Sequence, residues 1–404
     1  MRGARAILGR VSPRVRDRAV AWSLIVVVLL AVVGPRLYFL YKPYTFLIGD
    51  CPYYAATAIS ILRDHDLDLR NQLDGGPEAH AGYISQGPRG EWYSKHPILM
   101  PLLTVPLLPL FGTNAFLIEN VLVLLALAVV LYELARTAVP STAAVGGALA
   151  TVLGSFLIRY DYNYSANLFA SLLLSLAVLA LLRDRSGAAG LLSGLACFAY
   201  TPNFVALPLL LVYAGWRGKG RGASVFAAAA APALLAQGWL NLHMFGSMLV
   251  SPYMRIMSLH DGQIVLHSHT GDFSNPMWEG IRGQLTDPVH GLVRTAPVLL
   301  MAVPGYGLWL RKQRNHALLC LSLGGLLFLV FSRYIWWATS NVGNRFLMPL
   351  VALSAPAVAC AVEWLIERSR GLRRQPQATP SCSTGESSPA GARPSGLKSR
   401  TGSG

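Results

Sequence analysis

Charged side chains are scarce in this sequence. Asp, Glu, Lys and Arg make up 13% of its 404 residues, whereas a soluble domain carries about 25%. Hydrophobic residues make up 53% and the mean hydropathy is +0.44. The apolar runs extend over about 20 residues, which is the length that crosses a bilayer. These features exclude a soluble domain and predict an all-α integral membrane protein.

The sequence also lacks the short motifs of several function classes. Its five cysteines are scattered and form no Cys-x-x-Cys pair, so neither a disulfide framework nor a cysteine metal site is indicated. No P-loop or dinucleotide fingerprint occurs, so a nucleotide-binding domain is not indicated. No internal repeat is present beyond the apolar runs, which weighs against a secondary transporter.

Acidic residues are outnumbered, and the net charge is +15. A nucleic-acid partner is not indicated, because Lys and Arg lie in short clusters between the apolar runs, as topology signals do. Residues 1–18 contain six arginines and one acid, so we expect them to be a basic cytoplasmic N-terminus. Residues 370–404, rich in Ser, Gly, Pro and Thr towards the end, are expected to be a disordered cytoplasmic tail.

The basic clusters predict about ten transmembrane helices within residues 19–369, with both termini in the cytoplasm. Residues 41–97 then form a large first external loop with surface helices, and residues 243–290 form a second one. The apolar stretch 98–112 contains three prolines and is short, so we interpret it as re-entrant. The ten spans are expected near residues 19–40, 115–135, 141–158, 165–182, 187–216 (a bent pair), 223–241, 293–310, 317–331 and 346–366.

Asp50 stands out at the start of the first external loop, a few residues after the first span. An acid so close to hydrocarbon is costly unless it faces water, a partner or a substrate. A simpler interpretation is that Asp50 caps the helix predicted after Pro52, since Asp is a favoured cap. We favour a catalytic carboxylate, because a helix cap does not need to lie so close to the membrane.

Further charged residues fall on the same predicted outer face. Lys95 and His96 end the first loop, Asp161 lies between two spans, and Arg345 follows an aromatic segment. A carboxylate can remove a proton from a hydroxyl, and cations can hold a phosphate. The alternatives are that Lys95 and Arg345 are interfacial anchors and that Asp161 only pairs with its neighbour Arg159.

A group of histidines in the second external loop raises the question of a metal site. His260, His267 and His269 lie close to Asp272 in the sequence. A divalent metal ion is conceivable there, but loop histidines are usually solvated. We therefore expect no metal and no other cofactor.

The order of the motifs resembles the polytopic glycosyltransferases of the C superfamily, near the protein O-mannosyltransferase and aminoarabinose transferase group. The resemblance extends to about Ile366. It rests on Asp50-Cys51-Pro52-Tyr53-Tyr54, the segments 62–69 and 92–97, the segments 241–247 and 287–292, and Gly343-Asn344-Arg345-Phe346 with the residues up to Leu350.

This resemblance implies that a sugar moves, with inversion, from a polyprenyl-phosphate donor to an acceptor hydroxyl on a glycan, glycolipid or protein. The active site would lie on the outer face of the cell membrane. Asp50 matches the first-loop acid, Lys95, His96 and Arg345 match donor-phosphate positions, and Asp161 matches a further acid. Cys51 departs from the pattern, because many relatives have a second acid there. The alternatives from other classes are a transporter or lipid flippase, and a structural membrane protein.

Overall fold

The computed structural model describes residues 13–40, 47–339 and 343–374. Residues 1–12, 41–46, 340–342 and 375–404 lie outside it. The described residues form sixteen α-helices: α1 (Pro13–Leu40), α2 (Cys51–Arg63), α3 (Leu99–Thr104), α4 (Leu108–Phe111), α5 (Asn114–Ala135), α6 (Ser141–Leu153), α7 (Ala166–Leu182), α8 (Ser186–Ala199), α9 (Leu207–Arg217), α10 (Arg221–Phe245), α11 (Met277–Thr286), α12 (Leu292–Thr295), α13 (Leu299–Lys312), α14 (Arg314–Ser332), α15 (Met348–Leu353) and α16 (Ala355–Arg374).

Several of these helices are suited to a membrane. Among the described residues, four helices are long and apolar enough to cross one, and a fifth span results if the pair bent by 45° after Leu353 counts as one. Four more apolar helices are shorter, at 10–17 residues. The mostly helical membrane class is confirmed, whereas the number of ten spans stays a prediction. The stretch predicted to be re-entrant is interrupted, with α3 and α4 separated by a 3₁₀ turn at Val105–Leu107.

Helix α7 lies at the centre of the bundle. Every one of its residues except Leu176 is buried, as expected for a helix that is apolar on all sides. The next helix, α8, packs against α10 through glycine. A Cβ atom at Gly190 would lie 2.1 Å from the carbonyl oxygen of Phe226, and one at Gly194 would lie 2.7 Å from that of Ala230. The Gly-x-x-x-Gly spacing therefore permits a close helix contact.

Four short strands correct the expectation of an all-α fold. They are β1 (Ile84–Gln86), β2 (Trp92–Ser94), β3 (Ile256–His260) and β4 (Gln263–His267), in the antiparallel order β2-β1-β3-β4. The β3–β4 turn has positive φ at both Asp261 and Gly262, which is the backbone of a two-residue hairpin. Ser85 pairs with Ile256, so the sheet joins the first predicted external loop to the second.

The ends of the chain differ in detail from the expected domain limits. Residues 13–18, predicted to precede the first span, already belong to α1. Helix α16 extends to Arg374, so residues 370–374 are helical rather than disordered. The rest of the predicted tail, and residues 1–12 of the predicted N-terminus, lie outside the described residues. The described chain divides into two units at Ile366, and the features below all lie in the first.

Candidate active site

Asp50 lies in the turn that leads into α2. Gly49 before it has φ of +60°, a backbone conformation that glycine adopts without steric cost. Although Asp50 occupies the N-cap position, its side chain makes no capping hydrogen bond. The interpretation of this residue as a simple helix cap is therefore wrong. Its carboxylate is 8% exposed and points into a group of basic side chains.

Three basic side chains surround this carboxylate, and they come from two distant parts of the chain. Lys95 Nζ lies 3.3 Å and His96 Nε2 lies 3.2 Å from Asp50 Oδ1. Arg345 Nη1 donates a hydrogen bond to Asp50 Oδ2. The structure thus brings together four of the five residues predicted from the sequence. We call Asp50, Lys95, His96 and Arg345 the basic cluster.

The electrostatics of the basic cluster keep Asp50 ionised. Burial opposes its ionisation, but the charges of Arg345 and Lys95 and the contact with His96 outweigh burial and hold the pKa of Asp50 well below its usual range. Burial also lowers the pKa of Lys95, against the attraction of Asp50. Lys95 Nζ donates a hydrogen bond to the carbonyl oxygen of Gly82 at 2.7 Å, which compensates part of its lost hydration.

His96 is held from both sides and is neutral. Its ring stacks on Tyr54 with centroids 4.6 Å apart, and its Nδ1 lies 3.0 Å from the hydroxyl oxygen of Tyr253. Burial lowers its pKa to about 4. Because Asp50 is an ionised acceptor, the favourable tautomer has its proton on Nε2, which lies 3.2 Å from Asp50 Oδ1, while Nδ1 accepts from the Tyr253 hydroxyl.

Arg345 is positioned by a buried amide network. It begins the 3₁₀ turn Arg345–Leu347, just after Asn344. The Asn344 side chain accepts from the backbone N–H of Phe346 at 3.1 Å and donates to Gln284 Oε1 at 3.0 Å. Gln284 donates in turn to Ser332 Oγ at 2.7 Å. This network connects the turn to α11 and α14 and fixes the direction of Arg345.

Two cavities meet at the basic cluster. The first, about 340 Å³, is lined by many polar residues, several of them from the two predicted external loops, and the second, about 280 Å³, is lined largely by aromatic and aliphatic side chains. The apolar wall includes Tyr200, Val205, Phe331 and Phe346. The residues that line both cavities are Asp50, Lys95, His269, Tyr334 and Arg345. A charged centre therefore separates a polar space from an apolar one.

Asp161 is placed differently from the other predicted site residues. It is fully buried at the end of the 3₁₀ segment Phe156–Asp161. Its neighbours Tyr160 and Asn163 line the polar cavity, while Asp161 is not among the described residues that do. Its predicted role as a further acid stays a prediction.

Cys51 occupies the position where the family pattern often has an acid. Its Sγ donates towards Asn163 Oδ1 at 3.4 Å, and burial, followed by the neighbouring charge of Asp50, raises the pKa of its thiol to about 12. The thiol is neutral at physiological pH, so Cys51 does not replace the missing carboxylate.

Three residues of the site were missed by the sequence analysis. Tyr253 contacts His96, and His269 and Tyr334 line both cavities. The hydroxyl of Tyr253 reaches the basic cluster because β3 pairs with β1. No local sequence pattern predicts that pairing. His269 was noticed only as a histidine close to others in a loop.

Comparison with known proteins identifies the family. The sequence matches the model of Glycosyltransferase family 87 over residues 96–333. No curated protein matches it. The fold is similar to that of ArnT from Cupriavidus metallidurans bound to undecaprenyl phosphate, with a TM-score of 0.57, 15% identity, and coverage of 86% of this chain and 62% of that one.

The fold is also similar to that of the archaeal oligosaccharyltransferase AglB from Archaeoglobus fulgidus, in complex with an inhibitory peptide and a dolichol-phosphate. That match has a TM-score of 0.59, 13% identity, and coverage of 88% of this chain and 51% of that one. The chain thus spans about half to three fifths of the length of these two proteins.

The family match covers more than half of the chain and includes His96, the second predicted external loop and most of the described helices. It makes the protein an enzyme rather than the transporter, flippase or structural protein considered as alternatives. The chain belongs to glycosyltransferase family 87 and is a membrane glycosyltransferase with the fold of the C superfamily.

Proposed function

We propose that this enzyme moves a sugar, with inversion, from a polyprenyl-phosphate donor to an acceptor hydroxyl on the outer face of the cell membrane. The observation that carries the proposal is the position of Asp50, which lies among Lys95, His96 and Arg345 where the polar and apolar cavities meet. The two similar structures were determined with undecaprenyl phosphate and dolichol-phosphate, which supports a lipid phosphate here too.

The two cavities suggest one orientation for the donor. The isoprene units next to its phosphate would occupy the apolar cavity beside Val205, Phe331 and Phe346, and the phosphate would reach Lys95 and Arg345, whose charged groups line both cavities. Arg binds phosphate through a fork of N–H donors, and Lys binds it as a point charge. The sugar would then project into the polar cavity, where the acceptor hydroxyl arrives.

Donor binding would also make the Asp50 carboxylate a stronger base. A carboxylate that is paired with two cations is a weak base, because its pKa lies far below the pH of operation. When the donor phosphate binds Lys95 and Arg345, it shares their positive charge, and the pKa of Asp50 rises. The acid would therefore become a better base only when the donor is in place.

The transfer itself follows from these roles. Asp50 accepts the proton of the acceptor hydroxyl as its oxygen attacks the anomeric carbon. The bond from that carbon to the phosphate oxygen breaks, and its electron pair leaves with polyprenyl phosphate. Attack from the face opposite the phosphate inverts the configuration. Lys95 and Arg345 stabilise the charge on the departing phosphate, so this step at Asp50 requires no nucleotide.

His96 would act through Asp50. The family resemblance places it with the phosphate ligands, but its ring is stacked on Tyr54, its Nδ1 contacts the Tyr253 hydroxyl, and it is 5% exposed. A neutral imidazole whose Nε2 lies beside Asp50 Oδ1 orients that carboxylate oxygen and leaves the proton-accepting role to the carboxylate. We therefore propose that His96 is a positioning residue.

The location of the site can be tested separately. Residues 41–97 are proposed to face outwards, with both termini in the cytoplasm. A cysteine introduced at the exposed Gly76, with Cys51 removed, should react with an impermeant thiol reagent in intact cells. A cysteine at Asn315, in a predicted inner connection, should react only after the membrane is opened. The reverse pattern would contradict the proposed orientation.

The acceptor class is a glycan, a glycolipid or a protein. Mass spectrometry of membranes from cells with and without the gene tests the activity. We expect a missing sugar on one acceptor and an accumulated polyprenyl-phosphate sugar in the deletion strain. An unchanged set of glycans and lipid-linked sugars would contradict the proposal. An altered distribution of the lipid between leaflets, with normal glycans, would also contradict it.

A further inference from the structure

A second group of chemically active side chains lies in the second external loop, next to the basic cluster. His267 Nε2 lies 3.0 Å from Asp272 Oδ1, and His269 Nδ1 lies against Asp272 Oδ2. The nearest ligand atoms of the three side chains all lie within 4.8 Å of one another. His267 is the last residue of β4, and a 3₁₀ turn at His269–Asp272 returns the acid towards the histidines.

We propose that His267, His269 and Asp272 bind a divalent transition-metal ion, with Zn²⁺ as the best match. Two imidazoles and one carboxylate are the ligands that Zn²⁺ takes in sites with an open fourth position. With bonds of about 2.0–2.2 Å, tetrahedral ligand atoms are about 3.4 Å apart. The ligand atoms lie within 4.8 Å of one another, so metal binding requires them to move by about 1.4 Å at most.

The side chains around this group resemble the outer shell of a metal site. Trp336 Nε1 donates to Asp272 Oδ2 at 2.7 Å, and the backbone N–H of Ile335 donates to the Asp272 carbonyl oxygen at 2.9 Å. These bonds anchor a carboxylate that is 4% exposed. Ligating carboxylates are usually held by such hydrogen bonds.

The open coordination position of a bound ion would face the two cavities beside the basic cluster. His267 lines the polar cavity, and His269 lines both cavities together with Asp50, Lys95 and Arg345. The His269 ring also packs on Tyr253, with centroids 5.8 Å apart, and Tyr253 contacts His96. A bound ion would therefore face the same space as the basic cluster and could accept an oxygen ligand from a substrate hydroxyl or phosphate. This inference goes beyond the proposed function, which assigns no role to these residues.

Metal content of the purified protein tests the inference without any transfer assay. The full chain, produced without a polyhistidine tag, would be stripped with a chelator, incubated with micromolar Zn²⁺ and measured by elemental analysis. We expect about one Zn²⁺ per chain. The substitutions His269→Ala and Asp272→Asn should each abolish this binding. Mg²⁺ should not replace Zn²⁺, because it prefers a shell of oxygen ligands.

Two further variants separate the metal site from general effects on the loop. His260 is also in the hairpin, is highly exposed and pairs with Asp261, so His260→Ala should retain Zn²⁺. Trp336→Phe keeps all three ligands but removes the hydrogen bond to Asp272, and it should weaken binding by roughly 10–100-fold. This variant still tests the site if the ligand substitutions prevent folding.

The possible results decide the question independently of the proposed transfer reaction. A wild-type chain that stays free of Zn²⁺, or one whose Zn²⁺ content is unchanged by His269→Ala and Asp272→Asn, would overturn the metal site. Either result would leave the proposed roles of Asp50 and Arg345 intact. Conversely, stoichiometric Zn²⁺ binding would support the metal site even if the transfer reaction proved to be different.

Discussion

The buried ion pair between Asp50 and Arg345 should contribute measurably to the free energy of unfolding, which tests the structure. Arg345→Gln removes the cation that contacts Asp50 Oδ2 and leaves the carboxylate with Lys95 at 3.3 Å. Removing one partner of a buried ion pair typically costs 3–5 kcal/mol, because the remaining charge is buried without compensation. Since Lys95 still compensates part of the charge, we expect about 3 kcal/mol, at the lower end of that range.

The same reasoning predicts coupling between the two positions. Asp50→Asn alone leaves Lys95 and Arg345 without their anion, so it also destabilises the protein. The double variant Asp50→Asn/Arg345→Gln contains neither an uncompensated carboxylate nor the second cation. Its loss in the free energy of unfolding should be smaller than the sum of the losses in the two single variants, by roughly 1–3 kcal/mol.

Unfolding of the detergent-solubilised protein can be followed by the exposure of its cysteines to a thiol-reactive dye. Four cysteines are buried, and a Cys382→Ser background removes the fifth. Arg217→Gln is the control, because its partner Asp184 is largely exposed and such a surface pair contributes about 0–1 kcal/mol. Strict additivity in the double variant, or an Arg345→Gln cost no larger than that of Arg217→Gln, would refute the reasoning. The four buried positions are Cys51, Cys197, Cys320 and Cys360.

Three further predictions follow from individual residues. Binding of polyprenyl phosphate should weaken as the pH rises through the lowered pKa of Lys95, and Lys95→Arg should remove this dependence, as measured by binding across pH. Because the pKa of His96 falls from 6.5 to about 4 on folding, the unfolded state binds more protons between these values. Stability should therefore be lost as the pH falls from 6.5 to 4, by up to about 3 kcal/mol, and thermal unfolding should show a smaller loss in His96→Gln. Gly343→Ala should destabilise the protein and weaken phosphate binding, because Gly343 has φ of +62° and its Cβ would lie 2.5 Å from the Phe156 ring; a normal melting temperature would contradict this.

The parts of the fold that sequence reasoning predicted are those determined by local patterns. The apolar run predicted as a span at residues 115–135 differs by one residue from α5, Asn114–Ala135. The bend predicted within residues 187–216 is the 3₁₀ turn Thr201–Val205, which contains Pro202 and lies between α8 and α9. In both cases a periodic apolar pattern, or a proline that removes a backbone donor, determines the structure within one turn of helix.

The sheet could not be predicted with the same ease, because its pairing is not local. Ser85 and Ile256 are separated by about half of the described chain, and each strand has only three to five residues. One signal was available and was overlooked. Asp261-Gly262 between two apolar stretches is a strong hairpin pattern. The position of Tyr253 at the site depends on the same long-range pairing, and no local sequence pattern predicts it.

In the candidate site too, some residues could be predicted from local sequence features, whereas the properties of others depend on tertiary packing. Asp50, Lys95 and Arg345 were selected by charge, by their place near the membrane and by a family resemblance, and the structure brings them together. The neutral state of His96 depends on Tyr54 and Tyr253, which pack on it from different elements. Such an environment is a property of tertiary packing, and no local feature of the sequence predicts it.

Turnover of the Asp50→Asn variant tests the central claim most directly. The variant would be expressed in the deletion strain, with the exposed loop substitution Asp64→Asn as its control, and product glycan would be measured by mass spectrometry. We predict a loss of about 10²–10⁴-fold in transfer rate, with polyprenyl phosphate bound at least as tightly because Lys95 and Arg345 no longer pair with a carboxylate. Asp64→Asn should stay near wild type. Near-normal turnover by Asp50→Asn would contradict the proposed role of this carboxylate as the base.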